Sequence, residues 1–156
     1  MSEQLIIPDV RKSVTVEATP GHCFAVFTER PADWWPPSHV LLTKERVGLA
    51  FEPGVGGHYY EWDADGTRID WGRILEWEPG RRLVMTWRVD GNWRSVPDDE
   101  RASRIEVEFV PVDENRTRVE LAHVDLHRHG DCADRIFRAL DGPSPGETLE
   151  RFARVV

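Results

Sequence analysis

The two candidate residues for orienting a ligand or transferring a proton are Glu61 and His123. A buried, unpaired carboxylate has a raised pKa and can hold a ligand group or accept its proton. Together the two residues would suit the acid–base steps of a cyclase or hydrolase. The plainer alternatives stay open. Glu61 would then be a surface glutamate or one paired with an arginine, and His123 a core imidazole with satisfied hydrogen bonds or one pointing at the strand end.

Four potential metal ligands follow one another near the end of the predicted strands, namely His123, His127, His129 and Cys132. Their spacing matches no zinc motif, and they extend over a strand end, a loop and a helix start. We therefore expect no metal site. Gly54 and Gly56 lack the third glycine of a dinucleotide motif, since Tyr59 stands there, so no cofactor is expected. No serine, cysteine or aspartate lies in a recognisable nucleophile motif.

The stretch from Phe51 to Trp87 has the pattern of a three-stranded antiparallel meander. Three apolar and aromatic runs are separated by the turn signals Asp65-Gly66 and Pro79-Gly80. Four of the seven tryptophans of the chain fall in this stretch. Because indole combines a large apolar face with one N–H donor, the cluster predicts a concave aromatic wall as well as a core.

Further elements flank this meander. Alternation predicts a strand over residues 11–18, and Thr19-Pro20 predicts the start of a helix that ends at Arg30-Pro31. Residues 45–51 alternate with Val47, Leu49 and Phe51 on one face. The remaining predicted elements are a hairpin over 104–110 and 117–124, and a terminal helix with apolar stripes over 133–140 and 149–156, interrupted at 141–146. Ser144-Pro145-Gly146-Glu147 is the pattern of a capping box for the second part of that helix.

These elements predict an α+β fold in one domain over residues 1–156, with a curved antiparallel sheet of about six strands against a C-terminal helix. A cavity often lies between such a sheet and helix. An empty void of about 300 Å³ would cost about 7 kcal/mol, comparable with the net stability of a domain, so we expect the cavity to be occupied or wet.

Charge and targeting signals restrict the partners. The chain carries 28 acidic against 20 basic residues, a net charge of −8, with the cations scattered among carboxylates. Nucleic acid and anionic membrane surfaces are therefore not expected partners. Residues 1–8 match neither a signal peptide nor a spanning helix, and two cysteines do not make a disulfide framework. A cytoplasmic location is the expectation.

The order of motifs resembles the Activator of Hsp90 ATPase homologue group of the START/Bet v1-like (SRPBCC) superfamily. Its features here, over roughly residues 10–156, are the Trp34-Trp35 pair, Gly56-Gly57, Asp65-Gly66, Gly72-Arg-Ile-Leu-Glu76, Thr86-Trp87, Ile105-Glu-Val-Glu-Phe109 and Thr117-Arg-Val-Glu-Leu121-Ala-His123. Within that group the chain is similar to the subgroup named after a calicheamicin self-resistance protein, through Trp35-Pro36-Pro37, Trp71-Gly72-Arg73 and His129-Gly130-Asp131. Ahead of the last helix, where relatives commonly carry a Gly-Trp pair, this chain instead has Gly142-Pro-Ser-Pro-Gly146.

The resemblance implies a helix-grip fold with an internal cavity for a hydrophobic ligand, and it places Tyr59 and Glu61 on the inward face. We expect ligand binding by six residues, with Trp35, Tyr59, Trp71 and Trp87 as apolar walls and Glu61 and His123 as polar handles.

The function expected from this reading is sequestration, transport or self-resistance by binding an aromatic, polyketide-like small molecule, rather than catalysis. The enzymatic alternative is a cyclase or hydrolase that uses Glu61 and His123. The interaction alternative is an Hsp90 co-chaperone, which is disfavoured because only about ten residues precede the first strand. Whether the chain forms a homodimer is left open.

Overall fold

A computed structural model describes residues 10–34, 44–88, 102–125 and 143–156, with side chains from Leu149 onward in the last range. This part of the chain contains seven strands and three helices. In chain order they are β1 (Val10–Val16), α1 (Pro20–Glu29), α2 (Pro31–Trp34), β2 (Arg46–Phe51), β3 (His58–Asp63), β4 (Arg68–Glu78), β5 (Arg82–Trp87), β6 (Ser103–Asp113), β7 (Arg116–Val124) and α3 (Pro143–Val155).

The seven strands form one antiparallel sheet in the order β1-β7-β6-β5-β4-β3-β2. The helix-grip prediction is confirmed, but the sheet has seven strands where about six were expected. The strand predicted over residues 11–18 is β1, which was not counted among the six hairpin-linked strands. It belongs to the same sheet, because it pairs along its whole length with β7, Val14 opposite Val119.

Both turns predicted within the meander are present. Gly66 and Gly80 adopt φ angles of +84° and +73°, in the left-handed region that favours glycine. The hairpins that they close place β3, β4 and β5 side by side in the sheet.

The prediction for Val47 was wrong. Leu49 and Phe51 are buried, as expected, but Val47 is 62% exposed. The pairing of β2 with β3 shifts between Arg46 and Gly48, so the alternation of inward and outward side chains is broken at that point.

Helix α1 begins as predicted. The side chain of Thr19 accepts a hydrogen bond from the backbone N–H of His22, and Pro20 occupies the first turn. The helix places Phe24 and Phe27 against Phe109 of β6, with ring centroids 5.4 and 5.9 Å apart. This aromatic layer fixes α1 on the inner face of the sheet.

The terminal helix α3 packs against α1 and α2. The capping-box pattern predicted Ser144 as the N-cap of this helix, but the helix begins at Pro143, so Ser144 lies within it. A proline in the first turn is tolerated because its missing N–H has no intrahelical partner there. Phe152 is buried against Phe27 and against Trp34, at 5.6 and 5.9 Å between centroids. The predicted apolar stripe over 133–140 lies outside the described residues.

Candidate functional site

Strand β3 turns its odd-numbered residues inward. Tyr59, Glu61 and Asp63 are buried, whereas the even-numbered side chains His58, Tyr60 and Trp62 are only partly covered. The phenol ring of Tyr59 stacks on Phe51 of β2 with 5.1 Å between centroids. The inward placement of Tyr59 and Glu61 that the family pattern implied is therefore observed.

The carboxylate of Glu61 is completely buried and has partners. The indole N–H of Trp71 donates to Oε1 over 2.6 Å, and Nη1 of Arg46 lies 3.6 Å from the same oxygen. A surface position for Glu61 is thus excluded, and so is the unpaired buried carboxylate expected above. The alternative of a glutamate paired with an arginine is the one that the structure shows, with an indole N–H in addition.

The ring of Trp71 continues the site toward the middle of the sheet. Trp71 and Trp87 lie on neighbouring strands with centroids 5.0 Å apart and planes tilted by 41°. Trp87 in turn meets His123 edge to face, at 5.5 Å between centroids. Trp71 is 0%, Trp87 4% and His123 2% exposed, so all three face the interior.

Glu61, Trp71, Trp87 and His123 form what we call the inner row. Since they lie on β3, β4, β5 and β7, the row crosses most of the sheet, with a carboxylate at one end and an imidazole at the other. Two indole rings lie between these polar ends, so Glu61 and His123 do not act as a directly bonded pair.

Tyr59 lies on the same inner face of the sheet, completely buried. Its phenol O–H donates to the backbone carbonyl of Thr86 over 2.5 Å. Burial raises the pKa of Tyr59 well above the usual range, although the positive charge of Arg88 opposes that rise. The phenol therefore stays protonated, and its O–H is used in the hydrogen bond to the Thr86 carbonyl.

Ser103 was not among the predicted site residues. This residue is completely buried, and its Oγ lies 2.6 Å from Nε2 of His123. The signal was available, because the alternation that buries Ile105, Val107 and Phe109 extends back to Ser103. The predicted strand began at Arg104, one residue too late to include it.

Several predicted residues cannot be placed. Trp35 lies outside the described residues, as do His127, His129 and Cys132 of the suggested metal cluster. Among the residues that are described, no group of three or more His, Cys, Asp or Glu side chains is arranged to hold a metal ion. None of the described helices is long and apolar enough to cross a membrane.

A separate groove of about 560 Å³ lies between α1 and the ends of β2 and β4. It is lined mainly by Phe24, Phe51, Trp77 and Pro79. Of the predicted ligand-binding residues, the five that the structure describes do not line this groove.

A family model described as Activator of Hsp90 ATPase homolog 1-like protein matches residues 15–139. The chain belongs to this family. Among solved structures it is similar to the anthrahydroquino-γ-pyrone synthase Txn09, at 74% identity with a TM-score of 0.69 over 96% of this chain and 97% of the other. It is also similar to CalC, a self-sacrificing resistance protein from Micromonospora echinospora, at 30% identity with a TM-score of 0.65 over 96% and 94% of the two chains.

One curated relative matches a segment only. The vacuolar protein sorting/targeting protein 10 of Talaromyces stipitatus is 26% identical over 105 residues, which span 64% of this chain but 7% of that protein. Family membership and the helix-grip fold together support a coarse function. The fold family binds small hydrophobic ligands.

Proposed function

We propose that this protein binds a flat, polycyclic aromatic polyketide along the inner row and closes a γ-pyrone ring on it. The observation that carries the proposal is the inner row itself, with two buried indoles between a buried carboxylate and a buried imidazole. An aromatic ligand gains from contact with indole faces beyond the burial of its area. A few polar groups at fixed positions then orient it.

The type of ligand follows from the shape of the row. Trp71 and Trp87 together present a wall that is wider than one indole, which suits a fused-ring system better than a single ring. Hydroxyl and carbonyl groups at opposite edges of such a ligand would meet Glu61 at one end and His123 at the other. Phenolic polyketides carry oxygen at both edges of their ring system, so they fit this arrangement of polar groups.

The reaction is proposed from the likeness to Txn09, whose identity of 74% extends over nearly the whole chain. A γ-pyrone closes when a phenol oxygen adds to the ketone carbon of a neighbouring β-diketone side chain. The new C–O bond forms as the phenol proton leaves and the carbonyl oxygen gains a proton. The resulting hydroxyl then departs as water while the carbon between the two carbonyls loses a proton. The net change is loss of water, so neither an oxidant nor a reductant enters the balance.

His123 has the chemistry to move these protons. Imidazole changes its charge state near neutral pH, so the same side chain can accept the phenol proton and return it to the departing hydroxyl. Its position beside Trp87 would place it at the edge of a ligand held on the indoles. We therefore assign to His123 the catalytic role and to the indoles the binding of the ring system.

The test uses an anthrahydroquinone that carries a β-diketone ortho to a phenol. Incubation with the purified protein should produce the pyrone, detected by mass spectrometry as loss of water and by its altered absorption spectrum. His123→Gln should reduce the rate by about two orders of magnitude or more, while leaving affinity within a few-fold of the parent. Uncatalysed closure at the same rate as with protein would refute the enzymatic proposal.

A second candidate is sequestration for self-resistance, favoured by the likeness to CalC at 30% identity. In this case the aromatic molecule would be bound and released or retained unchanged. The two candidates separate in one experiment, since a carrier binds the substrate analogue with no loss of water. Expression in a sensitive host would then protect it against an aromatic polyketide drug, and Trp71→Ala should remove that protection.

A further inference from the structure

We propose that Ser103 is a positioning residue for His123, and that the two form the proton-transfer element of the site while Glu61 holds Trp71 in place. The inference rests on the proposed function and deepens it. It divides the two polar ends of the inner row into different roles, which neither the sequence nor the family relationship does.

The geometry of the pair is that of a strong hydrogen bond. Oγ of Ser103 lies 2.6 Å from Nε2 of His123, and the two residues are 0% and 2% exposed. Because neither side chain is exposed to bulk water, the hydrogen bond between them does not compete with solvent. The imidazole is therefore held by a partner that water does not replace.

A hydroxyl is the partner that suits a histidine changing its charge state. It donates to Nε2 when that nitrogen carries a lone pair and accepts from it when the nitrogen is protonated. A carboxylate in the same place would favour the imidazolium and resist return of the proton. Ser103 can thus remain bonded to His123 before and after proton transfer, and the ring need not turn.

The backbone around the pair is fixed. Ser103 lies opposite Trp87 on β5, and Ile105 lies opposite His123 on β7, so both side chains project from the same face beside the second indole. Nε of Arg104 donates to the carboxylate of Asp125 over 2.8 Å and ties the ends of β6 and β7 together. The pairing of β6 with β7 along their length holds the register that brings Ser103 to His123.

Glu61 is engaged differently. Its Oε1 accepts a hydrogen bond from the Trp71 N–H and also lies near the positively charged Arg46 guanidinium. The same hydrogen bond fixes the plane of the Trp71 ring. We therefore assign to Glu61 the orientation of the aromatic wall.

The experiment combines kinetics with nitrogen NMR of protein labelled in its histidine rings. Ser103→Ala should lower kcat about ten- to one-hundredfold, with KM within about twofold of the parent, and should shift the ring-nitrogen signals of His123. Ser103→Thr retains the hydroxyl and should recover most of the rate and the parent signals. Ser13→Ala, the same change at an exposed position of β1, is the matched control and should alter neither.

The outcomes decide between the proposals. If Ser103→Ala leaves the His123 signals unchanged, the positioning role is wrong, whatever happens to the rate. Ser103→Cys, of similar size and a weaker donor, serves as the second variant if the alanine protein does not fold, and the same criterion applies. If the parent turns over no substrate, the proposed function fails, and shifted His123 signals in the variants would then support the hydrogen-bonded pair alone.

Discussion

The indole N–H of Trp71 and the carboxylate of Glu61 are joined by a 2.6 Å hydrogen bond, and neither side chain is exposed to solvent. This bond links a polar end of the inner row to its aromatic wall. Loss of this bond would remove one of the contacts that hold the Trp71 ring in its orientation.

The Trp71–Glu61 bond should be measurable as an interaction energy. Trp71→Phe removes the donor and Glu61→Gln removes the charge near Arg46, and each should lower the free energy of unfolding by about 1–3 kcal/mol. Because the two groups share one bond, the double variant should lose less than the sum, with a coupling of about 1–2 kcal/mol. Urea unfolding measures all four proteins.

The control for this cycle is Glu76→Gln, a glutamate of β4 whose side chain is 49% exposed beside Arg82. An exposed ion pair contributes at most about 1 kcal/mol. Strict additivity of the Trp71 and Glu61 variants would show that the bond makes no separate contribution.

The inner row should determine affinity for aromatic ligands. Trp87→Phe keeps an aromatic ring but removes part of the indole face, and it should weaken binding of alizarin about two- to tenfold. Quenching of tryptophan fluorescence gives the Kd. Trp62→Phe, the same substitution on the outer face of β3, should leave the Kd unchanged. Equal losses in both variants would mean that alizarin binds elsewhere.

Tyr59 should make the fold sensitive to alkali. Burial raises the pKa of its phenol above the unfolded value of about 10. A group whose pKa is raised by folding contributes stability below its unfolded pKa and loses that contribution as the pH rises beyond it. The free energy of unfolding should therefore fall above about pH 10, and this fall should be shallower in Tyr59→Phe.

The chain has only two tyrosines, so the control is direct. Tyr60→Phe, at the neighbouring outer position, should keep the alkaline decline of the parent. Chemical denaturation of the three proteins between neutral and alkaline pH provides the comparison. A parallel decline in the parent and in Tyr59→Phe would contradict the assignment. At neutral pH, Tyr59→Phe should also cost about 1 kcal/mol for the lost bond to Thr86.

Gly72 lies where β4 approaches β5 too closely for a side chain. A Cβ at this position would come within 2.0 Å of the backbone carbonyl oxygen of Thr86, the same oxygen that accepts the Tyr59 hydrogen bond. Since backbone cannot rotate away, Gly72→Ala should destabilise the protein by about 3 kcal/mol. Gly21→Ala, with nothing within 4 Å of the added methyl, should instead be neutral or stabilising by about 0.5 kcal/mol. Thermal unfolding distinguishes the two.

Local patterns predicted most of the secondary structure. Alternation over residues 104–110 and 117–124 located β6 and β7, and the Thr19-Pro20 pair located the start of α1. The turn signals at Gly66 and Gly80 were also correct. These predictions succeeded because they depend on backbone preferences and side-chain periodicity within a few residues.

The errors came from interactions that a local pattern does not contain. Val47 was assigned to the buried face, but a shift in the pairing of β2 with β3 exposes it. Glu61 was correctly placed inward, yet its partners Trp71 and Arg46 belong to neighbouring strands and were not predicted. Ser103 was overlooked because its importance lies in a contact with His123, twenty residues away.

The sequence alone determined the order of helices and strands, the family and the residue types that line the interior, because periodicity and turn chemistry are written locally. Only the tertiary structure decided which of those residues touch. The contacts Glu61–Trp71 and Ser103–His123 depend on the register of paired strands, and register is set by bulges, turns and packing over the whole sheet. A shift by one residue would turn each of these side chains to the opposite face, so both contacts exist only in the register that the folded sheet adopts.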